Sequence, residues 1–328
     1  MNSTRRVRRI VLILLLAGGA VLAARPQIQP SSPQSVAEIK AEEEKLYADA
    51  HPYLDEPLPQ LKKTVRKLEG LKPAPSQEQL SDLLARVAAK ADELLHKMPN
   101  VISDEAVAET QWADSRGTVP ACIAGCLDPV PSAERNREFN YIILAHPAQE
   151  HRLLLGEYRT SRKDEPVQGS EAPHFQGFAS LWVLFSSFDQ AESRFRYLGE
   201  QKTDGHAVFV VGFAQIPGSI EFPAMIVTRR GSIPMLLQGI AWIDQADFRI
   251  VRLRADLLAP QPDFGYEKQT SDIQFGPAHI PALGLELWLP RSVNVETEAQ
   301  GQLWKEQHRY SKYRLYQAKS RIILGPSN

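Results

Sequence analysis

Cysteine is nearly absent from this chain: two residues among 328, which puts in sight only two of the four ligands a structural zinc takes. Excess charge of one sign is also missing. Thirty-eight Lys and Arg stand against 39 Asp and Glu, a formal net charge of −1, which excludes the clustered basic surplus of nucleic-acid binders. Long apolar runs are confined to one place, Ile10–Ala24. Motifs that fix a chemistry are lacking as well. Gly218-Ser219 and Gly231-Ser232 have no nucleophile-elbow context, and there is no P-loop or dinucleotide fingerprint. The histidines are scattered. His146 and His151 flank Pro147 as turn residues, His206 follows an Asp-Gly turn, and His308 lies on a strand face with Tyr310 and Tyr316. No pair of carboxylates is nominated for acid–base work, so the sequence is read as that of a protein that is not an enzyme, with no cofactor and no metal.

What is present begins with an export signal. Arg5, Arg6, Arg8 and Arg9 precede the apolar run, and Ala23-Ala24 supply small residues for cleavage. The run falls short of the roughly 18–20 residues of a spanning helix, so residues 1–24 read as a signal peptide, with an uncleaved inner-membrane anchor as the alternative. Either places the body in the periplasm, with membrane contact only through that segment. Its removal takes four Arg and no acid, moving the net charge from −1 to −5. In an oxidising compartment Cys122 and Cys126, in the loop PACIAGCLDP, are expected to pair as a disulfide rather than remain free thiols.

Residues 25–75 are punctuated by Pro52, Pro57, Pro59, Pro73 and Pro75 and read as a tether carrying short helices. A clear helix follows. Ser76 and Gln79 have capping-box spacing, and Leu80, Leu83, Leu84, Val87, Ala91, Leu94, Leu95 and Met98 form one apolar stripe before Pro99. Beyond it the period changes to two. Strands are predicted over 101–112, 139–145, 152–160, 194–201, 207–215, 225–230, 235–243, 271–275, 285–290, 292–297 and 304–316. The pair 225–230 and 235–243 is expected to meet about Gly231. The clearest hairpin is Gly239–Leu258, GIAWIDQADFRIVRLRADLL, turning at Asp244–Asp247. Its second strand points Val251, Leu253, Ala255 and Leu257 one way and Ile250, Arg252, Arg254 and Asp256 the other. Arg249, Arg252 and Arg254 there, with Arg229 and Arg230 on the preceding strand, offer either a basic face or partners for acids such as Asp256 and Glu286. Within the strands, Phe175, Phe178, Leu181, Trp182 and Phe185 recur at three and four residues, which predicts an aromatic helix over 175–188. Ser186-Ser187 would lie towards its rim. About ten or eleven antiparallel strands with two helices make an α+β domain over 76–320, with 321–328 a tail; so wide a sheet must curl or close.

The strand–turn–strand GIAWIDQADFRIVRL, the Asp-Gly hairpin within 199–213 and the closing strands to Tyr316 resemble the lipoprotein-sorting (LolA-like) half-barrel superfamily and its RseB-type relatives. LPQLKKTVRKLEGLKPAPSQEQL and FRYLGEQKTDGHAVFVVGFAQ are similar to secreted proteins of soil acidobacteria. The resemblance spans about residues 58–318 and implies a strongly curved antiparallel sheet, a half-barrel, with helices in its concave face. It also implies a hydrophobic groove able to hold a lipid or acyl chain, although no family motif for acyl-chain release is carried here. The expected groove residues are Phe175, Phe178, Leu181, Trp182, Phe185, Trp242 and Trp288. The competing expectation is an envelope module with a fully packed core and no ligand, whose partner is another envelope protein.

Overall fold

The computed structural model describes residues 36–112, 131–147, 153–165, 167, 177–220, 224–228 and 231–317. The signal segment 1–24, the tail 321–328, Phe175, Cys122 and Cys126 lie outside them.

Among the described residues three α-helices and thirteen strands follow one another as α1 (Val36–Leu46), α2 (Leu58–Thr64), β1 (Lys72–Pro73), α3 (Leu80–Lys97), β2 (Val101–Trp112), β3 (Ala133–Pro147), β4 (Leu153–Thr160), β5 (Ser193–Thr203), β6 (His206–Gln215), β7 (Ala224–Thr228), β8 (Gly231–Met235), β9 (Leu237–Asp244), β10 (Ile250–Leu257), β11 (Tyr266–Ile280), β12 (Leu285–Ala299) and β13 (Gln302–Leu315). Eleven strands form one antiparallel sheet in the order β1-β5-β6-β9-β10-β11-β12-β13-β2-β3-β4. β7 and β8 make a separate two-stranded ribbon. The predicted pairing of 225–230 with 235–243 is therefore corrected: β7 pairs only with 231–235, while β9 lies between β6 and β10. The strands predicted over 285–290 and 292–297 are one, β12, which continues past an irregularity in its pairing with β11.

The sheet is open and strongly curved. Laid flat, ten long strands at roughly 4.8 Å spacing would span about 45 Å, several times the width of a helix. Yet one apolar cluster draws residues from all ten, from Leu155 on β4 through Val101, Tyr310, Val293, Ile273, Leu253 and Ala241 to Tyr197 on β5, around the single helix α3. A sheet this wide curls rather than lying flat, and the apolar stripe of α3 joins the cluster on its inner face. The stripe read from the sequence is the one that packs: Leu83, Val87, Ala91 and Leu95 are buried. The solvent face carries Asp82–Arg86, Lys90–Glu93 and Glu93–Lys97 pairs. The capping box does not form, since Gln79 makes no side-chain cap.

Residues 36–73 are not a tether. Leu61, Val65 and Leu68 are fully buried against Leu198, Val208, Val210, Ile240 and Trp242 on the convex face. Tyr47 and Leu54 pack with Ala214, Ile220, Leu236 and Leu258 beside them. Polar ties fix the layer: Tyr53 Oη donates to Asp256 at 2.9 Å, and Gln201 Nε2 donates to the carbonyls of Lys67 and Glu69. β1 joins the sheet because residue 199 is glycine. Gly199 sits at φ 138° beside a bulge, and a Cβ there would collide with the Lys72 carbonyl.

In the central hairpin a bulge between Ile250 and Arg252 exchanges the faces of two residues. Ile250 joins Leu253, Ala255 and Leu257 in the concave cluster, whereas Val251 faces the N-terminal layer.

Candidate functional site

The aromatic segment crosses the concave face, but not as the predicted helix over 175–188. Among the described residues, Leu181–Phe185 is a 3-10 helix, followed by a turn and a second short 3-10 helix at Gln190–Glu192. Aromatic and branched side chains lose rotamer freedom in a helix, and so short a run does not repay α-helix nucleation. Its anchors are nevertheless the expected ones. Phe178, Trp182 and Phe185 are 2%, 3% and 0% exposed. Phe185 lies edge-on to Phe213 and beside Phe195, and Phe178 meets the ring of His308 at 5.1 Å. Leu181 is partly buried against the same cluster. Ser186 is buried rather than at the rim, because its hydroxyl donates to Asp189 at 2.6 Å and accepts from the Asp189 amide; Ser187 is exposed.

The two tryptophans expected opposite this segment are on different faces. Trp242 is an even-numbered residue of β9, whose odd positions Leu237, Ala241 and Ile243 face the concavity. It therefore points to the convex side, where it donates to Gln201 and lies under Arg252. Trp288 does border the concavity. Its indole donates to the Ile250 carbonyl at 2.8 Å, and Arg249 lies over its ring at 4.2 Å. Between Trp288 and Trp182 runs a shallow apolar cleft walled by Val87, Ala91 and Leu94 of α3 and by Phe248, with Lys90 and Arg249 also lining it. The void is ≈ 20 Å³, room for about one water. Phe248 was not anticipated. It holds φ 61° at the end of the hairpin turn, an uncommon conformation for a bulky residue. Its ring stacks on Phe209 and carries Arg86 above it. The Trp182 indole N–H is buried and has no acceptor among the described residues.

Among the described residues the arginines at and just before β10 form no open basic face; Arg229 and Arg230 lie outside the described residues. Arg249 pairs with Asp247 at 2.6 Å, Arg254 with Asp256 at 2.8 Å, and Arg252 with Asp272 across to β11. Cross-strand and local pairing prevails, with Asp272 rather than Glu286 as the second-strand acid.

Towards β13, β2, β3 and β4 the concave face turns polar while staying closed to water. Glu105, Arg159, His308 and Glu306 have side chains 0%, 4%, 0% and 1% exposed. Arg159 donates to both oxygens of Glu105. The ring nitrogens of His308 meet Glu105 at 2.9 Å and Glu306 at 3.2 Å. With both carboxyl groups ionised, both nitrogens donate, as the imidazolium form does. Burial alone would lower the His308 pKa; the two carboxylates outweigh it and hold it above the ordinary value. Burial likewise pushes Glu105 up, but the charge and hydrogen bonds of Arg159 with those of His308 bring it down to about 2. Two cations thus balance two anions in a dry site. A fifth group, Glu157, is buried on β4; desolvation raises its pKa against the opposing effect of Ser180, Ala179 and Arg159. It accepts from the amides of Ala179 at 3.2 Å and Ser180 at 2.8 Å and from the Tyr141 hydroxyl. The sequence reading missed this cluster, since its members sit on three strands and each alone looks like one polar residue in an alternating pattern. Among the described residues no group of acids and histidines is arranged to hold a metal ion, and no helix is long and apolar enough to cross a membrane.

No family model matches the chain, and no curated protein does. Solved structures similar to it include a DUF1329 family protein from Desulfovibrio piger, at 12% identity and TM-score 0.37 over 73% of this chain and 94% of that one. A protein described as an outer membrane lipoprotein-sorting domain, from Vibrio parahaemolyticus, is 14% identical with TM-score 0.37, covering 72% and 93%. The Mycobacterium tuberculosis lipoprotein LppX is 11% identical with TM-score 0.25, covering 71% and 95%. Superpositions this loose carry nothing about a ligand, and the site is judged on its own geometry.

Proposed function

We propose that the chain is an exported, non-catalytic envelope protein that binds the apolar part of a lipid or acylated ligand between α3 and the segment 177–186. The cleft between Trp182 and Trp288 carries this reading. It opens on the concave face, its walls are apolar, and a buried indole N–H beside it lacks an acceptor among the described residues. Apolar walls with a few placed polar atoms are what a hydrophobic ligand site requires. The void of ≈ 20 Å³ is far below the several hundred Å³ of a typical ligand pocket. A bound chain must therefore displace the 177–186 segment. Native mass spectrometry of protein taken from the periplasm, together with displacement of a fluorescent fatty acid, tests the proposal. Co-purified lipid with saturable probe binding is the expected result; a clean apo mass and no probe uptake sink it.

That same small void favours a second reading, a packed module that holds no ligand and binds a protein partner. The tight burial of Phe178, Trp182 and Phe185 supports it. It requires the probe to stay out under every condition in which the protein remains folded.

A further inference from the structure

The segment 177–186 fills the concavity with aromatic rings, yet its polar attachment to the sheet is narrow. Its backbone bonds Val183 to Ser180 and Ser186 to Val183 are internal, as is the bond from the Ser180 hydroxyl to the Gly177 carbonyl. The chain enters it through Gly177, at φ 94°, a conformation that favours glycine. Among the described residues, the hydrogen bonds that run from the backbone of 177–186 to the sheet both end on one side chain. The Ala179 amide donates to Glu157 Oε2 and the Ser180 amide to Glu157 Oε1. Tyr141, on the neighbouring strand, donates to the same carboxylate. Glu157 sits on β4, at the margin of the sheet. Its strand neighbour Arg159 is engaged with Glu105, so the carboxylate is held chiefly by hydrogen bonds.

We propose that Glu157 is a positioning residue, the tie by which the sheet holds residues 177–186 down, and that releasing this tie opens the concave face. The inference rests on the lipid-binding reading for its purpose, but its mechanics stand on the geometry alone. Two amides and a hydroxyl converge on a group that can accept from all three only as a carboxylate or a close mimic. Hydrogen bonds to a charged acceptor are among the stronger ones. Past the tie the segment is held by packing and by contacts at its far end, where Ser187 N–H meets Asp92 and Gln190 bonds the Leu84 carbonyl. Freeing Ala179 and Ser180 would let Trp182, two residues on, swing from the cleft it now walls.

The test is hydrogen exchange on the full folded chain carrying Glu157→Gln. The Gln side chain keeps one acceptor oxygen but turns a donor towards an N–H or O–H donor. Peptides covering 178–186 should exchange about tenfold faster or more, while those from β11, β12 and β13 keep wild-type protection. If E157Q does not fold, Ser180→Pro serves instead. It deletes one of the two amide donors at a residue whose φ of −83° suits proline, and it leaves the sheet untouched. Wild-type exchange across 178–186 in a folded variant overturns the tie, whatever a ligand does. Dansyl-undecanoic acid, added to the same samples, separates the two ideas. Faster exchange with stronger probe binding supports both. Faster exchange with no probe uptake leaves the tie standing and removes the lipid-binding reading.

Discussion

Arg159 and Glu105 meet across an intervening strand. β2 and β4 flank β3, and the guanidinium of Arg159 passes 5.7 Å from the centre of the Tyr141 ring to donate to the Glu105 carboxylate at 2.8 Å. Neither side chain is accessible enough for water to take the partner's place. Breaking a buried pair from one side strands a charge at a cost of about 3–5 kcal/mol. Arg159→Met should therefore lower the unfolding free energy in urea by that amount. The double variant with Glu105→Leu should recover most of the loss, because apolar side chains fill such a site without the desolvation cost. A loss below roughly 1 kcal/mol, the scale of surface pairs, would mean that water reaches the pair.

Stability should have a plateau bounded by two different groups. The Glu105 pKa is lowered from 4.5 to about 2. Its contribution is thus complete above the ordinary carboxylate range and is lost as pH falls from 4.5 towards 2. The His308 pKa is raised above 6.5. Its contribution is complete below that value and disappears as pH rises through the elevated one. Urea midpoints measured across pH show both limbs in the native protein. His308→Gln should flatten the alkaline limb; an alkaline limb unchanged in this variant would assign it elsewhere.

Truncating Trp182 separates volume from polarity. Trp182→Ala should cost about 3–5 kcal/mol if the site cannot collapse. Trp182→Phe should cost much less, under about 1.5 kcal/mol, because the indole N–H has no acceptor to lose among the described residues. Equal losses in the two variants would show that the N–H does have a partner in solution.

The N-terminal layer gives the plainest contrast. Leu61 and Leu68 are 0% exposed, so Leu61→Ala and Leu68→Ala should each destabilise the whole domain by roughly 2–5 kcal/mol. A detached tether would give changes near zero in the same urea titration.

Those leucines also show where the sequence could be read and where it could not. The α3 stripe was plain because one period ran unbroken from Leu80 to Met98. The segment 36–73 was opaque because prolines cut it into pieces too short for a period, leaving Leu61, Val65 and Leu68 inside a charged setting. In the hairpin, alternation placed the strands correctly, but a single bulge reversed Ile250 and Val251, and strict counting cannot foresee an extra residue. Trp242 was assigned to the groove on its aromatic character, whereas its even position beside Ala241 and Ile243 sets it on the other face. Glu105 and His308 lie 203 residues apart, and nothing local in either neighbourhood announces the other. The aromatic anchors Phe178, Trp182 and Phe185 were legible as buried residues; the 3-10 path joining them, and its attachment at Glu157, were not.

β13 is the last of the described strands and an inner strand of the sheet, lying between β12 and β2, with Leu315 opposite Val101. Until it is in place, β2–β4 and β5–β12 are two separate pieces, each with a bare edge at the future seam. Such distant pairing slows folding, since a long loop must close before any contact rewards it. A polypeptide made amino end first would carry both open margins until that strand emerged. Loss of only the carboxy-terminal strand should therefore yield sticky, aggregation-prone halves rather than a slightly weakened protein.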